Sequence, residues 1–223
     1  MEKQALQDTT LFRGISPEDA ETLLSCLDVR TQKYEKDEVI LRAGEPVREL
    51  GLILSGSVNV VASFYRGSES IFGHFGRGEI FAENYAAVPG RGVIGDVVAA
   101  EDSEIMFIDV NRLLKTCENG CEFHQRLIRN LLTISAQKNL SLSTRMMHIA
   151  PKSIRERLLS YLSEQAMEKG SRRFRIPFDR QQLASYLGVD RSAMSHELSK
   201  MKRDGLINYH KSDFILNESA KRN

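Results

Sequence analysis

The stretch Phe178 to Asp204 reads FDRQQLASYLGVDRSAMSHELSKMKRD. Asp179 is placed to cap a short helix, with Gln182 three residues on in the reciprocal position of a capping box. Leu183, Ala184 and Leu187 form an apolar face at helical spacing, and Gly188 can end that helix in the left-handed conformation. Val189 turns inward across the break, and Asp190 caps a second helix whose inner face is Met194, Leu198 and Met201. Two short helices joined by a turn of about three or four residues with a glycine predict a helix-turn-helix. The outer face of the second helix carries Arg191, Ser192, Ser195, His196 and Lys200. A recognition helix needs such a face, because its N-terminal residues must reach base edges in the major groove and Arg fits O6 and N7 of guanine. A polar face alone is as readily a solvated one; the complete motif in front of it decides for DNA. Arg180, at the start of the first helix, is a further DNA-binding candidate.

Together with the strand-like segments Gly205 to His210 (GLINYH) and Asp213 to Leu216 (DFIL), this stretch resembles the C-terminal winged helix-turn-helix of the Crp/Fnr family of bacterial transcription regulators. The resemblance implies that Arg191, Ser192, Ser195 and His196 occupy the base-reading positions. The family commonly has Glu where this chain has Ser192 and Arg where it has His196, which implies a different operator.

The charge is distributed to match. Residues 151–223 hold 15 Lys and Arg against 9 Asp and Glu, whereas residues 1–150 hold 16 against 21. A basic C-terminal part beside an acidic N-terminal part suits a DNA reader joined to a module of another kind. No stretch approaches the ~20 apolar residues of a membrane-spanning helix, and MEKQALQDTT is not a signal peptide. Three cysteines give no disulfide framework. A cytoplasmic protein without membrane contact is expected.

Upstream, Ser16-Pro17-Glu18-Asp19 is a helix start, with Ala20, Leu23, Leu24 and Leu27 as its apolar face. The period then changes. Runs beginning at Glu38, Leu50, Ser57, Ser70, Val93 and Glu104 are short, β-branched and separated by glycine turns, which predicts an antiparallel sandwich or barrel. Residues from about 10 to 110 also resemble the cyclic-nucleotide-binding type of jelly roll, with the Ser55-Gly56-Ser57-Val58 turn and the Gly78 to Phe81 segment in place. In cyclic-nucleotide binders of this type a Glu holds the ribose, and an Arg followed by Ser or Thr takes the phosphate. An anion is best met by helix-terminal N–H groups and a guanidinium fork. Glu83 matches the ribose Glu. Ala82 replaces the glycine before it, Arg91 comes about two residues early, and Val93-Ile94 stand where Arg-Ser belongs. Cyclic AMP is therefore not indicated, and the effector is left open. Glu83, Asn84, Tyr85 and Arg91 are candidates for another ligand's pocket; the alternative is an ordinary surface loop.

Cys117, Cys121 and His124 offer metal or redox ligands, but Asn119-Gly120 breaks the helix between the cysteines and no fourth ligand is near. No metal site, iron–sulfur cluster or haem is expected. From Glu122 to Ile149 runs a helix without Pro or Gly, about 42 Å long. Phe123, Leu127, Leu131 and Ile134 form one apolar stripe, and Ile128, Leu132, Leu142, Met146 and Ile149 another. The first is assigned to a homodimer interface, and Ala150-Pro151 is the hinge that follows. Arg172, Arg173 and Arg175 are candidate phosphate contacts.

The expected fold is α+β: an N-terminal antiparallel jelly roll over 1–120 that senses an effector, a dimerisation helix over 121–149 and a winged helix-turn-helix over 150–223. The expected function is a homodimeric regulator reading a palindromic operator in double-stranded DNA, gated by a small molecule or redox signal. The resemblance adds RNA polymerase as a further partner. The alternative is a signalling module whose helix-turn-helix contacts protein. No nucleophile–base pair, paired carboxylates, P-loop or metal spacing points to an enzyme.

Overall fold

Eight strands build the N-terminal part of the computed structural model, which describes residues 6–63, 69–115 and 122–217. They are β1 (Arg30–Tyr34), β2 (Val39–Leu41), β3 (Glu49–Ser55), β4 (Ser57–Ser63), β5 (Glu69–Gly76), β6 (Ile80–Phe81), β7 (Asp96–Ala99) and β8 (Ser103–Asp109). Two four-stranded sheets result, in the orders β1-β8-β3-β6 and β2-β7-β4-β5, and every pairing is antiparallel.

Alternation along β8 divides the packing. Ile105 and Phe107 point into a core between the sheets with Tyr34, Ile53, Val58, Phe81, Val97 and Ala99. Met106 and Ile108 join Leu50 and Leu52 in a second core, completed by helices. The tight β3–β4 turn rests on Gly56, which has φ 79°; a Cβ there would sit 2.2 Å from the Ser103 hydroxyl oxygen. Within β3, Gly51 leaves the space in which the buried Phe81 ring lies.

Strand β1, with the sequence RTQKY, lies outside the expected runs. It lacks apolar alternation because it is an edge strand, exposed at four of five positions and paired only with β8. Its Arg30 bonds Glu49 at 2.7 Å and lies 3.9 Å from the centre of the Phe107 ring.

The first helices are α1 (Pro17–Leu27), α2 (Glu83–Ala86) and α3 (Val110–Leu114), followed by α4 (Glu122–Ile149), one unbroken helix of 28 residues. Ser16 caps α1, its Oγ accepting from the Asp19 amide at 3.1 Å. Next come α5 (Ile154–Glu168), β9 (Arg173–Arg175), α6 (Arg180–Leu187), α7 (Arg191–Arg203), β10 (Ile207–His210) and β11 (Asp213–Leu216). The last three strands form a sheet in the order β10-β11-β9. It packs with α5, α6 and α7 around Leu158, Leu162, Leu183, Leu187, Met194, Leu198 and Phe214.

By its contacts the chain divides into two compact units, Met1–Gln137 and Lys138–Asn223. The division falls within α4.

The stripe assigned to a dimer interface is corrected. Leu127 and Leu131 are buried in the jelly roll's own outer core, and Phe123 and Ile134 pack against it. The outer face of the sheet, with Leu50, Leu52, Met106 and Ile108, needs an apolar cover, and this side of α4 supplies it. The helix exposes Leu132, Leu140, Leu142, Met146 and Met147, each more than 60% accessible. At about 100° per residue, Leu132, Leu140 and Met147 fall on the side of α4 away from Leu127 and Ile134, Met146 lies between the two sides, and Leu142 is in line with Leu131.

Gly51→Ala places a methyl group 2.2 Å from the Phe81 ring. Because that ring is buried, the variant should lose about 1–3 kcal/mol of stability, read as a lower midpoint in urea unfolding.

Candidate DNA-binding surface and effector region

The helix-turn-helix closes through the backbone of Gly188. The Asp179–Gln182 capping box opens α6: the Gln182 amide donates to Asp179 Oδ1 at 2.8 Å, and the Asp179 amide to Gln182 Oε1 at 2.9 Å. At the other end Gly188 has φ 63°. The Val189 amide donates to the Ala184 carbonyl at 3.0 Å and the Gly188 amide to Ser185 at 3.3 Å, the paired bonds of a Schellman turn. Asp190 then caps α7, accepting from the Ala193 amide at 2.8 Å and from the Ser192 hydroxyl at 2.5 Å.

Met194, Leu198 and Met201 face inward on α7, as expected. Arg191, Ser192, His196 and Lys200 are exposed and Ser195 is half-buried. Among the described residues, no ion pair or hydrogen bond engages the side chains of Arg191, His196 or Lys200. Ser192 is different: its hydroxyl already donates to Asp190, so it enters any base contact from within the cap. Arg180 is half-buried and directed to the hairpin β10–β11, where its Nη2 donates to the Lys211 carbonyl at 2.9 Å. Of the basic strand β9, Arg173 and Arg175 are exposed on either side of the buried Phe174.

Several cations hold the motif together. Arg155 on α5 bonds Glu197 at 2.5 Å and Asp204 at 2.7 Å, tying α5 to the middle and the end of α7. Arg157 donates to the Leu187 and Gly188 carbonyls at 3.1 and 3.3 Å, and Arg145 of α4 to Tyr186 and Ser185 at 3.0 and 3.1 Å. Cations at the end of α6 thus meet its unpaired carbonyls. Buried beside them, His148 bonds Glu164 through Nε2 at 2.8 Å and Tyr186 through Nδ1 at 2.9 Å. Burial pushes the Tyr161 and Tyr186 phenols, which pack on this histidine, above their ordinary pKa. Sequence reasoning missed this layer because its signal is charge at helix ends that meet only in three dimensions.

In the jelly roll, the four effector candidates follow β6. Glu83 is buried, Tyr85 half-buried, and Asn84 and Arg91 exposed. Ala82 before them holds φ 61°, a left-handed conformation that a side chain resists by about 1–2 kcal/mol. The segment after Arg91 is strapped to the loop before β3: the Gly44 amide donates to the Val93 carbonyl at 2.8 Å and the Val93 amide to the Glu45 carbonyl at 3.1 Å. Val93 is buried and Ile94 is 67% exposed. Cys117 and Cys121 lie outside the described residues. His124 is buried, its Nε2 donating to the Leu113 carbonyl at 2.7 Å.

Comparison with known proteins follows this division. Residues 31–119 match the model of the cyclic nucleotide-binding domain, and residues 156–220 that of the Crp-like helix-turn-helix domain. Over 228 aligned residues the chain is 25% identical to the CRP-like protein Clp of Xanthomonas euvesicatoria, covering 93% of this chain and 94% of that one. It is 24% identical to Electron transport regulator A of Shewanella oneidensis, over 80% of this chain and 71% of the other. The chain belongs to the Crp/Fnr family of transcription regulators. The fold agrees with solved structures of CprK complexed with OCPA (TM-score 0.64, 15% identity, 88% and 91% covered) and of the c-di-GMP responsive regulator CLP of Xanthomonas campestris (0.56, 20%, 88% and 97%). The family is one of regulators rather than enzymes. Among the described residues no helix is long and apolar enough to cross a membrane.

The cap of α7 makes a pH-dependent prediction. Hydrogen bonds, first from the Ser192 hydroxyl and then from the Ala193 amide, hold the Asp190 carboxyl below its ordinary pKa. A lowered folded pKa adds stability above the ordinary aspartate range and loses it as acid protonates the group. Asp190→Ala should therefore lower Tm at pH 7, and the gap from the parent should close below about pH 4. Thermal melts at both pH values check it.

Proposed function

We propose that the protein is a homodimeric, sequence-specific DNA-binding regulator that reads a palindromic operator under control of a signal received by its jelly-roll domain. The observation that carries this reading is the recognition helix α7. Its cap and turn are fully bonded, its inner face is buried, and Arg191, His196 and Lys200 stand exposed on it without partners among the described residues. Arg191 is suited to a guanine edge, and Ser195 and His196 to neighbouring bases. Arg173 and Arg175 on β9 add phosphate contacts that position without reading.

Two-fold binding needs a second copy, and α4 offers a surface for one. Leu132, Leu140, Leu142, Met146 and Met147 are exposed along the helix, with Leu132, Leu140 and Met147 on one side of it, and exposed apolar surface of this kind marks an association site. The signal is a small molecule other than cyclic AMP, or a redox change. The substitution of Val93-Ile94 for the anion-binding pair supports leaving the cyclic phosphate out. A signal of either kind acts only as far as it favours one arrangement of the DNA-binding units over another.

Selection from random duplex DNA with purified, reduced protein at physiological salt tests the reading. An inverted repeat with half-sites about one helical turn apart is expected; no enrichment, with cell extract or oxidant added in turn, would sink it. On the selected site Arg191→Ala should weaken binding by about 1–3 kcal/mol and relax one base position, and equal affinity would remove the residue from base reading. Leu132→Glu with Met146→Glu should convert the sedimenting species to monomer and abolish preference for the repeat over a half-site. A variant still dimeric would place the interface elsewhere.

A further inference from the structure

The wing turn is held in an unfavourable backbone conformation. Register between β10 and β11 pairs His210 with Asp213, leaving Lys211-Ser212 as a two-residue hairpin loop. Its first residue, Lys211, has φ 52°, where glycine is usual and a side chain costs stability. Both loop residues are tied to the chain that opens α6. The Ser212 hydroxyl donates to the Phe178 carbonyl at 3.1 Å and the Ile176 amide to the Ser212 carbonyl at 3.0 Å. The Lys211 carbonyl accepts from Arg180 Nη2 at 2.9 Å.

The Arg180 guanidinium does more than make that bond. Its carbon lies 4.8 Å from the centre of the Tyr209 ring and 5.2 Å from that of Phe214. Those rings stack on one another at 5.6 Å, and Phe214 stacks on Phe174 of β9 at 6.4 Å. A planar cation on two aromatic faces is attracted to both, and burial lowers its pKa. A phosphate contact has the opposite requirement, a guanidinium held out toward solvent.

We propose that Arg180 is a positioning residue for the wing: it clamps the Lys211 turn and the Tyr209–Phe214 pair to the start of α6, and so fixes where His210 and Lys211 meet the phosphate backbone. His210 and Lys211 are both exposed. Because α6 is joined to α7 through the Gly188 turn, the clamp sets wing and recognition helix in one register. This rests on the reading of the C-terminal unit as a DNA reader, but the clamp itself is measurable without DNA.

Hydrogen exchange on the free protein is the first arm. Arg180→Met should raise exchange of the β10–β11 amides about tenfold, the scale of one lost hydrogen bond with its ring contacts, and leave α7 amides unchanged. Arg180→Lys keeps the charge but not the planar fork, and should behave the same way. Unchanged exchange in both variants would overturn the clamp. The second arm is the salt dependence of binding to a duplex of fixed sequence and about 30 base pairs, roughly three helical turns. Lys211→Ala should lower the slope by about 0.9, the value of one phosphate. Arg180→Lys should lower it similarly, and the double variant no further. A parental slope in Arg180→Lys, with additive losses for Arg180→Met and Lys211→Ala, would make Arg180 a direct phosphate contact and overturn the proposal. A parent that binds no duplex would remove the DNA reading, and exchange would still decide the clamp.

Discussion

The C-terminal unit depends on how one short helix ends. α6 must stop after about two turns and hand the chain to α7, and the carbonyls of its last turn need partners. Gly188 makes the stop possible because its left-handed φ costs it nothing. The amides of Gly188 and Val189 turn back onto Ser185 and Ala184, while Arg145 and Arg157 cover carbonyls from Ser185 to Gly188. The break is therefore filled with donors from both sides. Ala184, buried where the two helices pack, admits the close crossing that this short turn demands.

This sorting of cations changes what the basic balance of residues 151–223 means. Arg155, Arg157 and Arg180 are engaged with carboxylates, carbonyls and rings of their own unit. Arg191 and Lys200 are not. An excess of positive charge read from composition is thus an upper bound on what can meet phosphates, since part of it is structural. The same logic applies to polar partners: Glu197 sits on α7 among the recognition residues, but its carboxylate is held by Arg155 and turned toward α5.

Legibility in the sequence followed the range of the interactions. The capping box at Asp179, the cap at Asp190 and the glycine stop are made by residues within about six positions of one another, so spacing alone shows them. The strands with apolar alternation were legible for the same reason. β1 was not, because an edge strand pairs through its backbone and RTQKY carries no apolar period. Arg180 shows the limit within the candidate site. Its place before the recognition helix suggested DNA, yet its partners Tyr209, Lys211 and Phe214 lie about thirty residues away. Nothing local announces them. The effector region was read only as a departure from a family pattern at Val93-Ile94, and nothing local names a ligand.

The long helix shows why pattern without context assigns a face wrongly. Two apolar stripes on α4 meant two surfaces to bury, and periodicity cannot say which one is buried within the chain. The choice falls to the jelly roll, whose strands β3 and β8 each direct one row of side chains inward and the other outward. The outward row, Leu50, Leu52, Met106 and Ile108, must be covered, and the side of α4 bearing Leu127 and Leu131 covers it. Leu132, on the opposite side, is left exposed, and farther along the helix so are Leu140, Leu142, Met146 and Met147. Exposed Leu and Met along a helix are costly in water and favourable against an equivalent surface. A second copy supplies an equivalent surface by symmetry, and a palindromic site in DNA requires the same two-fold relation.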